Sequence, residues 1–119
     1  MRTWLPTFLL LLSTAPVLAQ SMPGMQMGGA PAANEPASTQ SYRAAMATMD
    51  RGMNIPYTGD ADKDFAAGMI PHHQGAIDMA KVELQHGKDP ALRKLARGII
   101  AAQVKEIAFM RQWQAKHPR

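Results

Sequence analysis

Met69-Ile70-Pro71-His72-His73-Gln74-Gly75-Ala76-Ile77-Asp78-Met79 joins two signals in eleven residues. Its apolar residues recur at the three-and-four spacing of an amphipathic helix. The same stretch holds two histidines and two methionines, side chains that ligate soft and borderline metals. A proline in its midst conflicts with an undisturbed helix. It removes one backbone donor, presses on the carbonyl of Ala67 and biases Ile70 away from helical geometry. In a helix interior this costs about 3 kcal/mol. Gly68, one turn back, leaves room for the distortion. The second of three helices is therefore expected either to kink at Pro71 or to restart there. Strain beside two histidines points to function.

Outward from that stretch, the helix begins near Asp60, with Asp62 and Asp64 crowding its positive end. Gly87 follows His86 as its stop. Two neighbouring stripes run along it. Phe65, Met69, His72, Ala76, Met79 and Glu83 form one; Ala66, Ile70, His73, Ile77, Ala80 and Leu84 form the other. Both histidines are thus expected to face inward, with Lys63, Gln74, Lys81 and Gln85 outward.

Asp89 and Pro90 then supply an N-cap and a first helical residue, and the third helix runs to about Lys116, before Pro118. Leu92, Leu95, Ala96, Ile99, Ala102, Gln103, Glu106, Met110 and Trp113 share one broad face, widened by Ile100, Val104 and Ile107. Arg93, Arg97, Lys105, Arg111 and Gln112 form the solvated side. Gln103 and Glu106 are polar on an apolar stripe, which asks for a partner. Upstream, Tyr42, Met46, Met49 and Met53 form one stripe of a first helix over about Ser41–Met53, broken by Asn54–Gly59.

Residues 20–40 are rich in Gly, Pro, Ala, Ser, Asn and Gln without periodicity and are expected to be disordered. Within them Met22, Met25 and Met27 have no core to fill, so they read either as a thioether tract for a soft cation or as a low-complexity linker. Residues 1–19 combine Arg2, the apolar run Phe8–Leu12 and small residues ending at Ala19, the pattern of a secretory signal peptide cleaved near Ala19. The run is too short and too Pro-flanked to span a bilayer, so no integral membrane span is expected after cleavage, and the mature chain is expected in the periplasm or secreted. The helical domain then covers residues 41–117: an all-α, small antiparallel bundle of three main helices.

The formal net charge of +4 falls to +3 without Arg2, and the remaining charges are mixed in sign, with no basic aromatic patch to suggest nucleic acid. Cysteine is absent, while methionine occurs ten times. A metal must therefore be held by His, Met, carboxylate or amide. The candidates are Met46, Met49 and Met53 on the first helix, Met69, His72, His73 and Met79 on the second, and Gln103, Glu106 and Met110 on the third. Thioethers select Cu(I) and, by the same softness, Ag(I). The competing reading is that methionines at helical spacing are core filler.

Met69 and a histidine are one turn apart and can share an ion. His72 and Met79 are two turns apart, about 10 Å, and cannot. Met79 is expected to meet Met110 or a first-helix methionine. One histidine is expected to ligate while the other bonds Glu106 in support. Glu83-Leu84-Gln85-His86 is half of a di-iron carboxylate motif, but with only Glu35, Glu83 and Glu106 after residue 19 the site cannot be completed in one chain. No pattern for nucleophilic catalysis or a phosphate loop is present, so an enzyme is not expected.

The run Asp64-Phe65 through Met69-Ile70-Pro71-His72-His73, then Ala76 and Met79-Ala80, with the later Ala96, Ile99, Gln103, Glu106-Ile107, Met110 and Trp113, resembles the bacterial family known as domain of unknown function 305. The resemblance covers about residues 41–116. It implies a ferritin-like helical bundle exported to the periplasm or cell surface, some of whose relatives bind copper. It places the characteristic residues on Met69, His72, His73, Met79, Gln103, Glu106 and Met110. The reading is an exported Cu(I)-binding protein for sequestration or delivery in the cell envelope. The alternative is a structural or interaction bundle whose Met-rich face packs on a partner or on a second copy.

Overall fold

A computed structural model of the protein describes residues 34–118. Residues 1–19, expected to be a leader, and the Met22–Met27 tract lie outside the described residues. Three helices follow in order: α1 (Ala37–Met53), α2 (Ala61–His86) and α3 (Pro90–Lys116). The described residues contain no strand, so the fold is an all-α bundle.

The helix ends follow local chemistry. The Asp60 side chain accepts from the Asp62 and Lys63 N–H groups, and the Asp89 side chain from the Leu92 N–H, with Pro90 opening α3. Both satisfy donors that a helix start leaves open. Asp64 reaches back to the preceding loop. Thr58 donates to it through both N–H and hydroxyl at 2.8 Å, and Gly59 through its N–H at 3.1 Å. Gly59 itself takes φ +86°, a conformation glycine adopts without steric cost.

Gly87 does end α2, but with φ −71° rather than a left-handed turn. Its lack of a side chain serves space, because the Glu83 carboxylate folds against it. Arg93, read from the sequence as part of a solvated face, donates instead to the carbonyls of Leu84 (2.7 Å) and Gly87 (2.9 Å), closing the C-terminal end of α2.

Two boundaries differ from the sequence reading. α1 begins at Ala37, so residues 37–40 are its first turn rather than part of a disordered segment. α2 is one helix through Pro71, so no new segment starts there. The Pro71 ring is used as a contact surface: a Cβ built on Gly52 of α1 would lie 2.7 Å from Pro71 Cβ.

α2 is the middle of the bundle. Ser41 Oγ lies 3.5 Å from His86 Nε2 at one end of α1, and Ile55 meets Gly68 just past the other, so α1 and α2 are antiparallel. His73 against Glu106 and Arg93 against Leu84 make α2 and α3 antiparallel too. α1 and α3 each pack on α2, and their backbones do not meet.

The buried apolar residues are Ala45, Ala66, Ile77, Ala80, Val82, Ala96, Ile107 and Met110, half of them alanine. The helices therefore approach through small side chains, and the one cluster of larger ones is Ile77, Ile107 and Met110, flanked by Met69, Ile70 and Ile100. No described helix is long and apolar enough to cross a membrane.

Candidate metal centre

Because α1 and α3 sit on different flanks of α2, the strip of α2 between them is a trough open to solvent. That strip is the stripe Phe65, Met69, His72, Ala76, Met79, Glu83. Phe65 is 63% exposed and Met79 38% exposed, and His72 is exposed as well. The sequence reading put both stripes inside. The second is, with Ala66, His73, Ile77 and Ala80 buried, whereas the first has Phe65, His72 and Met79 exposed and Met69, Ala76 and Glu83 half-buried.

The adjacent histidines separate accordingly. Their ring centroids are 6.1 Å apart with the planes at 60°. His73 is buried, and its Nε2–H donates to Glu106 Oε2 at 2.6 Å across the α2–α3 seam. A carboxylate on one ring nitrogen fixes the ring's orientation and leaves Nδ1 as the acceptor of the neutral form. Nδ1 is buried and has no hydrogen-bond partner, and neither has Gln103 Oε1, one turn from Glu106 on α3. Such acceptors are costly when unmet, and a cation meets them as well as a donor does. The support partner expected for one histidine is therefore Glu106, and the histidine it serves is His73. His72 is the one left free.

The thioethers divide in the same way. Met110 is 7% exposed and belongs to the Ile77–Ile107 cluster, and Met69 is half-buried against it. Glu106 lies opposite His73 in this antiparallel pair, so Met110 falls near Met69 and about 15 Å along the axis from Met79. Of the two partners expected for Met79, Met110 or a first-helix methionine, the first is excluded by this separation. Met79 instead borders an open hollow of about 300 Å³ between Tyr42 of α1 and Leu95 of α3.

On α1, Met46 (40%) and Met53 (39%) are exposed. Met49 is half-buried and lies directly on Gly75, where a built Cβ would come 2.7 Å from Met49 Cγ. Thus Met49 meets α2 between His72 and Met79. The ten candidates do not converge on one interior. Met110 is packed in the seam with Ile77 and Ile107, while His72, Met79, Met46 and Met53 remain within reach of solvent.

Among the described residues, no three His, Asp or Glu side chains gather as a metal-binding group. Gly52 and Gly75 were missed as site-shaping residues. For Gly75 the available signal was a glycine well inside a helix, costing about 1 kcal/mol against alanine; Gly52 lies beside the Asn54–Gly59 break and carried no such signal.

Over residues 1–114 the chain matches the family described as Domain of unknown function (DUF305), and it belongs to that family. This is the family read from the Met69–His73 and Gln103–Met110 motifs. The chain is also 48% identical over 49 residues to an uncharacterized protein of Acanthamoeba polyphaga mimivirus. That alignment takes in 41% of this chain and 32% of the viral protein, so the chain spans about a third of that relative's length.

Proposed function

We propose that this member of the family binds Cu(I), with Ag(I) as the chemically similar second ion, and serves to sequester or deliver it in the cell envelope after export. The observation that carries the reading is the exposure of the methionines. Core filling explains a thioether only where it is packed, and of the six candidate methionines in the helices only Met110 is buried. Met46, Met53 and Met79 stand on the surface with His72. Each of these three methionines is 38–40% exposed, so its thioether is within reach of a soft metal ion.

The buried acceptors His73 Nδ1 and Gln103 Oε1 support a second, inner position, with Glu106 orienting the ring. The role is holding and passing on an ion, so the ligands need to be reachable, and no catalytic group is assigned.

The test is a Cu(I) titration against a competing chelator, alongside His72→Ala and Met79→Leu. Each variant is expected to weaken Cu(I) binding by about tenfold or more, which is about 1.4 kcal/mol. The melting temperature without metal should not move, because neither residue is buried. Affinity no tighter than that of an unstructured methionine peptide, or unchanged in both variants, removes the reading.

A further inference from the structure

We propose that the trough holds two separate soft-metal positions, each shared between α1 and α2: one made by Met53 with His72, the other by Met46 with Met79. The proposal rests on the Cu(I) reading and deepens it, by naming the partner of each ligand. His72 and Met79 are two turns apart on α2, about 10 Å along its axis, so neither completes a site with the other.

The register of α1 on α2 supplies the missing donors. Ser41 lies against His86, Met49 against Gly75, Gly52 against Pro71 and Ile55 against Gly68. In an antiparallel pair each step forward on α1 is a step back on α2. Met46 therefore comes level with Met79 to within about one residue, and Met53 with His72 to within about two, which is about 3 Å or less along the axis. The side is fixed as well. Tyr42 and Met79 border the same hollow, and Met46, Met49 and Met53 continue the Tyr42 stripe at three-and-four spacing, so they face the trough that His72 and Met79 face. The close approaches at Gly52 and Gly75 bring the helix axes toward the near end of the about 8–10 Å at which helices pack, a gap that two facing side chains span. All four donors are exposed.

Donor chemistry distinguishes the two positions. Two thioethers at Met46–Met79 select Cu(I) or Ag(I), whereas the imidazole at Met53–His72 is a borderline donor that other transition metals also accept. Between them Met49 is half-buried against Gly75, one turn from Met46 and one from Met53, which keeps the positions apart. The placement also has a structural consequence. α1 packs on α2 and not on α3, so an ion held by one side chain from each helix ties α1 to the rest of the bundle.

The test is Ag(I) titration of the full chain with labelled methionine methyl groups, followed by NMR, because Ag(I) is diamagnetic and each methyl reports on its own thioether. The Met46 and Met79 methyls are expected to shift as one set, and the Met53 methyl with the His72 ring as another. His72→Ala and, from the other helix, Met53→Leu should each lower affinity at the Met53–His72 position about tenfold or more, while the Met46–Met79 set keeps its affinity within about twofold. Met79→Leu and Met46→Leu should do the converse. All four side chains are exposed, so helical circular dichroism should be retained. A single set that His72→Ala abolishes throughout overturns the two positions and leaves the Cu(I) reading standing. Met46 and Met53 methyls that stay fixed while His72 and Met79 respond overturn the pairing across helices and put ligation on α2 alone. No response from any of the four removes the Cu(I) reading of the trough itself, and this proposal with it.

Discussion

The seam between α2 and α3 and the trough between α1 and α3 share the same central helix and nearly the same apolar content, yet one is sealed and the other open. In the seam Ile77 is 4% and Ile107 7% exposed, and the polar pair His73–Glu106 bridges the helices. In the trough Phe65, His72 and Met79 are left to solvent. What differs is the presence of a neighbour. A helix can carry an apolar strip wider than its two partners cover, and the uncovered part is where ligands for an ion can be kept. The seam is therefore read as the stability of the fold and the trough as its function.

The strongest way to break that division is Ile77→Ala. It removes the most buried larger side chain of the seam and should cost about 2–5 kcal/mol, read from urea unfolding. A loss below about 1 kcal/mol would mean that the seam is not the main source of stability. Gly75→Val tests the α1 side. Its new side chain meets Met49 where Cβ already lies 2.8 Å from the built position, so α1 has to move. The expected loss is about 1–3 kcal/mol, with Cu(I) affinity falling as Met49 is displaced. A stable variant with unchanged affinity would uncouple α1 from the trough.

Glu106→Ala should cost about 1 kcal/mol, because it leaves the buried His73 donor unmet. The exposure of Glu106, 60% at its side chain, lets water replace part of the contact. Glu106→Gln keeps an acceptor and should recover part of the loss. If the two variants behave alike in urea, the contact at 2.6 Å contributes little and His73 is held by packing alone.

Much of the architecture was legible in local chemistry. Asp60 and Asp89-Pro90 marked helix starts because a helix leaves four donors open and these residues meet them. Gly87 marked a stop, although for space rather than for backbone conformation. The stripe containing Ile77 and the Gln103–Met110 series marked the seam, and pairing one histidine with Glu106 followed from a polar residue on an apolar face. The start of α1 was not legible, since Ala37–Gln40 continue the composition of the segment before them.

The candidate site was legible as a set of residues and illegible as a place. Met69 and Met79 share a stripe with His72, but Met69 is half inside and Met79 outside. Met110, expected among the ligands, is packed in the Ile77–Ile107 cluster.

The sequence by itself determined the three helices, their antiparallel order through short connections, and the chemical character of each strip, because these follow from spacing along one chain. Only the tertiary structure decided that α1 and α3 settle on different flanks of α2 and leave the strip between them uncovered. Periodicity records what kind of side chain a strip carries. Whether anything packs on it depends on where the other helices come to rest, and that is set by close approaches such as Gly75 to Met49 and Gly52 to Pro71.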